Sequence, residues 1–288
     1  MANFSATTTT ALLNTAGISP DQYGLDVYIT AANRSVLMPL VRRYLIEGGS
    51  TLYIPIVGTR SATARTRGTD DTELIVSTAL DDTAASMTKR FTYDAISKSW
   101  ATINDMPPAH LAAWLNAENG QMGAALANDF DSTVIAAVYS AATTNAVGSG
   151  AVDFSYDLFV SAIQKLRAQN APEPYFAVLP ETQWDHIAKT DEFTRYDARG
   201  EGDTMQNRQS FRAHGVSVFT TNNVATSGGE AQAIVFSGEA IAVAIRNFAQ
   251  IEQWSEQLYT ANFLMAWADY AYAIPLENYA CQFTTTDT

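Results

Sequence analysis

The chain is 288 residues long, nearly half of them apolar, with a formal charge of −13 and an isoelectric point near 4.5. That is enough apolar material for one large domain or two intimately joined ones. With only 17 basic residues, scattered along the sequence, it excludes a surface built to grip the phosphate backbone, and the lone Cys281 excludes an intrachain disulfide or a cysteine zinc cage.

The first residues, Met1-Ala-Asn-Phe-Ser, lack the basic start and apolar run of a secretory signal. No apolar stretch reaches bilayer-spanning length, so the sequence predicts a soluble protein made in a cytoplasm. The start through Ser19 reads as a Thr- and Ala-rich arm. From Leu25 to Leu45 the spacing of Val27, Ala31, Leu37, Leu40, Val41, Tyr44 and Leu45 predicts a helix, kinked or split at Pro39. Gly48-Gly49 ends it.

The stretch from about Gly48 to Trp100 is sparingly apolar and wedged between two periodic helical segments. A compact interior rarely holds such an insert, because its backbone groups and ordering entropy find little compensation there. Thr51 to Val57 reads as one strand and Thr88 to Asp94 as another, joined by a Gly-, Thr-, Arg- and Asp-rich crossing. A long protruding hairpin follows, suited to gripping neighbours. Within it, Arg60, Arg65 and Arg67 precede Asp70, Asp71 and Glu73. In a monomer this is a solvated tip; in an assembly it is a place for charge pairing between subunits that sets register.

Pro107-Pro108 predicts a helix start with Asp105 near enough to cap it or to complement its dipole. Leu111, Leu115, Met122, Leu126, Phe130, Val134 and Val138 then form one stripe, with Gly120, Gly123 and Ala124 leaving room for close packing. Asn145 to Gly150 is a Gly- and Ser-containing joint, which marks a subdomain boundary. Beyond it, helical and strand-like segments alternate, which predicts an α+β fold. The expected elements are a helix over Tyr156 to Ala168, a strand over Tyr175 to Leu179, a short helix opened by Pro180, a polar loop over Asp197 to Gln209, and strands at Val216 to Thr220 and Ala233 to Phe236. Ala240 to Ile245 is an apolar run, Phe248 to Leu258 fits helix or strand, and Ala268, Tyr270, Tyr272, Ile274 and Leu276 alternate as a half-buried strand should.

No catalytic, cofactor or metal constellation emerges. His110, His186 and His214 form no His-Glu-x-x-His pair. Asp185-His186 beside Asp191 is the nearest approach to an acid–base pair, and on a short amphipathic helix it reads first as solvated polarity. His214, beside Gly215, reads as a turn residue. Gly200-Glu-Gly-Asp203 lacks the Lys-Ser or Lys-Thr of a phosphate loop. The aromatics Trp254, Trp267, Tyr270 and Tyr272 fit a core or an interface, core being the simpler reading.

The order of parts resembles the major capsid proteins of tailed bacteriophages, the Hong Kong 97 type of shell subunit. It is carried by Gly48-Gly-Ser-Thr-Leu-Tyr-Ile-Pro55 entering a long loop, the helix after Pro107-Pro108, and Tyr175-Phe-Ala-Val-Leu-Pro180 after a helix. Gly215-Val-Ser-Val-Phe219, Ile234-Val-Phe-Ser-Gly238 and Tyr270-Ala-Tyr-Ala-Ile-Pro-Leu276 continue it. The resemblance implies an N-terminal arm over residues 1–24 and an extended loop over 49–101. It implies a peripheral domain from 25–48, 102–148 and 247–269, with a spine helix at about 107–142, and an axial domain from 149–246 and 270–288. By the same analogy Phe248 to Asp269 is strand.

It further implies a structural protein without cofactor that self-assembles as pentamers and hexamers into an icosahedral shell in the virion. Scaffolding, portal or decoration proteins are partners of such shells, and DNA is enclosed without sequence-specific binding. Some family members weld subunits by a Lys-to-Asn isopeptide bond; Lys89 and Lys98 lie in or beside the loop, in no motif that demands this, and read most simply as solvated lysines. Three other readings stand beside the phage shell: an encapsulin-like nanocompartment shell of the same fold, a small hydrolase using His186, and a β-rich tail or adhesion protein.

Overall fold

The computed structural model describes residues 20–45, 53–56, 83–188, 211–213, 215–224, 226–227 and 230–286. Helix α1 (Pro20–Arg34) is followed by a tight turn and a short strand β1 (Arg42–Leu45). Next come β2 (Tyr53–Ile56), β3 (Thr83–Ser86), β4 (Thr88–Ser99), α2 (Trp100–Asp105) and the long helix α3 (Pro108–Ala141), 34 residues without a break. A 3-10 turn leads into β5 (Val147–Asp153), α4 (Tyr156–Ala168), β6 (Tyr175–Leu179) and α5 (Glu181–Ala188). The remainder is strand, apart from a 3-10 turn at Glu277–Tyr279: β7 (Phe211–Ala213), β8 (Val216–Thr220), β9 (Thr226–Ser227), β10 (Glu230–Ala231), β11 (Ile234–Ser237), β12 (Ala242–Glu256), β13 (Ala261–Ala273) and β14 (Ala280–Thr286).

Two sheets organise these elements. One has four strands in the order β1-β12-β13-β4; the other has eight, β7-β8-β6-β11-β14-β10-β9, with β5 paired to β14. The four-stranded sheet buries one face against α1 and α3. Tyr23, Val27 and Ala31 of α1, Leu115 and Phe130 of α3 and Leu264, Ala268 and Tyr270 of β13 share one core. The second sheet is covered on both faces: Val178, Ile234 and Phe236 belong to that same core. Ala177, Val235, Cys281 and Phe283 pack against Phe159, Ile163 and Leu166 of α4 and Trp184 and Ile187 of α5. Strands buried on both faces read as unbroken apolar runs, and Tyr175 to Leu179 and Ile234 to Phe236 do.

Residue size fixes the crossing of α1 on α3. A Cβ on Gly123 would meet Thr30 Cβ and Val27 O, each at 2.9 Å, so only glycine lets the two backbones come this close. The stripe expected on the long helix is buried as read, from Leu111 through Leu115, Met122, Leu126, Phe130 and Val134 to Val138.

Several expectations are corrected. The helix expected to run to Leu45 ends at Arg34, five residues before Pro39, and Arg42–Leu45 is a strand lying parallel to β12. The cause is distant in sequence. The buried Asp131 carboxylate of α3 accepts hydrogen bonds from Ser35 Oγ (2.7 Å), Val36 N (2.9 Å) and Leu37 N (3.2 Å), offering the chain a turn in place of another helical turn. Asp105 does not cap the long helix: it closes α2, and Pro107 takes the N-cap position without a side-chain hydrogen bond. Tyr53–Ile56 pairs with Thr83–Ser86, whereas the strand starting at Thr88 pairs with β13. The Phe248 segment, open between helix and strand by spacing, is strand through Glu256, as the resemblance implies. The strand after Gln232 begins at Ile234, one residue later than expected. The first nineteen residues and the Asp197 to Gln209 loop lie outside the described residues.

Candidate assembly interface

The described part of the loop region is a strand pair that runs on into the body. Its β2–β3 hairpin pairs from Tyr53↔Ser86 to Ile56↔Thr83, and after the buried Met87 the chain runs directly into β4, an edge strand of the four-stranded sheet. Twelve register pairs, from Thr88↔Tyr272 to Ser99↔Ala261, bind β4 to β13. The reach of the loop is therefore anchored on a long ladder.

Near the base of β4, Arg90 makes a two-bonded ion pair to Asp129 of α3, Nη2 to Oδ1 at 2.6 Å and Nε to Oδ2 at 3.1 Å. The carboxylate raises the Arg90 pKa, first through the hydrogen bond. The buried Tyr270 hydroxyl donates at 3.2 Å to Oδ2 of the same carboxylate, the oxygen that also accepts from Arg90 Nε, and burial, with the charge of Asp129, pushes that phenol up. The loop base, the spine helix and the central strand thus meet at one acidic side chain.

The side of the four-stranded sheet turned away from the helices is aromatic. Phe91 and Tyr93 alternate outward on β4 at 58% and 64% exposure. Phe91 lies 5.4 Å from Trp267, centroid to centroid, and 6.3 Å from Tyr93. Further along the same face, Trp254 and Phe263 stack at 5.2 Å and 6°, and Tyr259 in the β12–β13 turn meets Phe263 edge-on at 6.4 Å. Of the four aromatics singled out in the sequence, Tyr270 is core, Trp254 and Trp267 are half-buried on the outer face, and Tyr272 packs at the margin of the main core.

The charged residues singled out in the crossing, Arg60, Arg65, Arg67, Asp70, Asp71 and Glu73, all lie outside the described residues, as do Asp191, Gly200 to Asp203 and His214. Lys98 sits with its ammonium 4.7 Å from the Trp114 ring centroid; Lys89 is placed in register with Ala271. His110 and the Asp185-His186 pair are exposed. Among the described residues no cluster of His, Cys, Asp or Glu has metal-binding geometry, and no helix is long and apolar enough to cross a membrane. Cys281 is buried, its thiol pushed up to about 12 by desolvation, which leaves it no thiolate character at neutral pH.

Sequence reading missed Arg90, Asp129 and, on the outer aromatic face, Phe91, Tyr93, Tyr259 and Phe263; of that face it singled out Trp254 and Trp267, with core as the simpler reading. The Phe-x-Tyr alternation at Phe91 and Tyr93 signals one face of a strand; the ion pair has no local signal.

A long helix laid across a long antiparallel sheet, a second sheet beside it and a strand pair leading into the sheet's edge strand together define a shell subunit of the Hong Kong 97 type. The family model described as phage capsid protein matches residues 90–278, and the chain belongs to that family. Its function follows: it is a capsid subunit of the phage shell. Among solved structures, the capsid of the cyanophage P-SCSP1u is similar with a TM-score of 0.62 at 15% identity, covering 86% of this chain and 87% of that one. Mycobacterium phage Che8 gives 0.64 at 17% identity over 86% and 90%. The asymmetric unit of the bacteriophage PhiM1 mature capsid gives 0.63 at 12% over 88% and 88%. At these identities the likeness is one of fold. No curated protein matches the sequence.

Proposed function

We propose that copies of this chain tile the icosahedral head of a tailed bacteriophage as pentamers and hexamers, with residues 49–101 reaching across to neighbouring subunits. The observation that carries this reading is the continuity of the β2–β3 hairpin with β4, whose twelve-pair ladder and Arg90–Asp129 link tie a projecting arm to the rigid body. Closed symmetry reuses one such reach at every contact. The division into peripheral domain (25–48, 102–148, 247–269) and axial domain (149–246, 270–288) belongs to the same proposal, with β12 and β13 crossing between the two.

Arg60, Arg65 and Arg67 and the acids Asp70, Asp71 and Glu73 are the charge pairs proposed to set register between subunits. Scaffold, portal and decoration proteins are the proposed accessory partners. Synthesis is in the bacterial host, and the acidic chain encloses DNA without gripping it. The family match favours this shell over a nanocompartment and over a His186 hydrolase.

The test is electron microscopy with sedimentation of the purified protein over rising concentration, with scaffold supplied. Hollow shells or capsomers are expected, association increasing with concentration. A strictly monomeric species across all conditions overturns the reading, and protein cargo in place of nucleic acid inside native particles points to the nanocompartment.

A further inference from the structure

We infer that the outer face of the β12-β13-β4 sheet is an interface for a second copy of this chain. Phe91, Tyr93, Trp254, Tyr259, Phe263 and Trp267 line it, and the inference rests on the capsid reading. Register places them together: Trp254 is opposite Phe263, Trp267 is opposite Tyr93, and Phe263 and Trp267 are two alternations apart on β13. Intervening Leu264, Ala266 and Ala268 point the other way, into the core. The stripe runs from the β12–β13 turn, where Tyr259 is 67% exposed and Leu258 81%, to the base of the extended loop at Phe91.

Its size argues for a macromolecular cover. Rings of this kind, at these exposures, present on the order of 600 Å² of mostly apolar surface. That is the top of the range a monomer leaves open, and close to the ~800 Å² one partner contributes to a stable interface. Aromatic residues clustered in this way are also those that dominate binding energy. Alongside lies the free edge of β4, which ends the sheet order among the described residues and offers unpaired backbone groups that an assembled protein must cover.

The chemistry selects the occupant. Stacked aromatics can hold single-stranded nucleic acid, but only with a basic groove for the phosphates, and here the stripe is crossed by Glu252 opposite Met265, with Asp269 opposite Phe91. Asp269 is partly neutralised by Arg246 at 3.8 Å. A subunit that tiles a shell meets other copies of itself on all sides, so a second copy is the partner present in every particle.

The test is hydroxyl-radical footprinting with mass spectrometry, on free wild-type subunits and on shells assembled from this chain alone after any scaffold has left. Oxidation at Phe91, Tyr93 and Tyr259 is expected to fall severalfold on assembly, while the exposed His186 changes little. In parallel, Phe91→Ser with Tyr93→Ser is expected to leave the circular dichroism of the free subunit native, to lower its Tm by only a few degrees as the cross-strand contacts to Trp267 are lost, and to raise the concentration for half-assembly by about tenfold or more. Wild-type shells in which the stripe is oxidised as fast as in free subunits overturn this inference alone, as does a folded double variant that assembles like wild type. Failure of wild type to form any particle overturns the capsid reading and this inference with it. If the double variant does not fold, the wild-type footprint decides.

Discussion

Asp129 accepts from two partners, the Arg90 guanidinium at 2.6 Å and the Tyr270 hydroxyl at 3.2 Å, so one carboxylate on the spine helix holds both the strand leaving the extended loop and the central strand of the sheet. Both partners of the ion pair remain partly exposed, at 42% and 30% of the side chain, and such pairs contribute little alone. Removing Arg90 leaves Asp129 with Tyr270, whereas removing Asp129 strips both.

Arg90→Ala is therefore expected to cost about 1 kcal/mol or less in urea unfolding, and Asp129→Ala roughly 1 kcal/mol more because a buried hydroxyl loses an acceptor. Amide hydrogen exchange at the start of β4, around Thr88 to Thr92, should quicken in both variants. Equal costs for the two substitutions would show that Tyr270 gains nothing from the carboxylate.

Two glycines of the spine helix should respond to the same substitution with opposite sign. Nothing lies within 4 Å of a Cβ placed on Gly120, while on Gly123 it would strike Thr30 and the Val27 carbonyl at 2.9 Å. Gly120→Ala is expected to stabilise by roughly 0.5–1 kcal/mol through helix propensity and a less free unfolded chain. Gly123→Ala should lose more than that gain, by about 1–3 kcal/mol, as α1 is pushed off α3. Thermal unfolding of the pair decides; stabilisation by both would mean that the helices separate without cost.

Leu126 is 2% exposed within the main core. Leu126→Asp places an unpaired charge there and should cost several kcal/mol, so that the subunit misfolds before assembly is in question. Soluble protein with native circular dichroism and an unshifted Tm would contradict the packing of the spine helix.

Elements whose signal is local were legible in the sequence. Tyr156 to Ala168 forms a helix with Phe159, Ala162, Ile163 and Leu166 buried as expected, capped by Ser155, and Tyr175 to Leu179 is a strand. The stripe of the spine helix followed from spacing alone. What failed depended on distant partners. Val27, Ala31, Leu37 and Val41 all enter one core, which mimics a continuous helix, yet the turn between them is imposed by Asp131, about ninety residues on. Thr88 to Asp94 was readable as a strand but not its partner, since β13 lies far along the chain and no turn joins the two. The loop charges of Arg60 to Glu73 were legible as a pattern, and their role depends on surfaces of other subunits.

Asp131 supplies a pH test with a definite sign. It is fully buried, and desolvation raises its pKa although Ser35, Val36 and Leu37 donate to it and pull the other way. Because the folded-state pKa lies above the unfolded one, the folded protein binds this proton more readily. The group's contribution to stability is then fully present below the unfolded pKa and is lost as pH rises through the folded one. Asp131→Asn cannot titrate, but it turns an amide N–H toward the Val36 N–H, leaving a clash of donors at every pH. Urea unfolding of wild type and Asp131→Asn from acid to neutral pH should therefore show wild type more stable throughout, by about 1–3 kcal/mol at the acid end. Its advantage should narrow as pH rises through the folded pKa and then stay level. An advantage that widens with pH would mean that the three hydrogen bonds outweigh burial and that the carboxylate, not the acid, is the form the turn prefers.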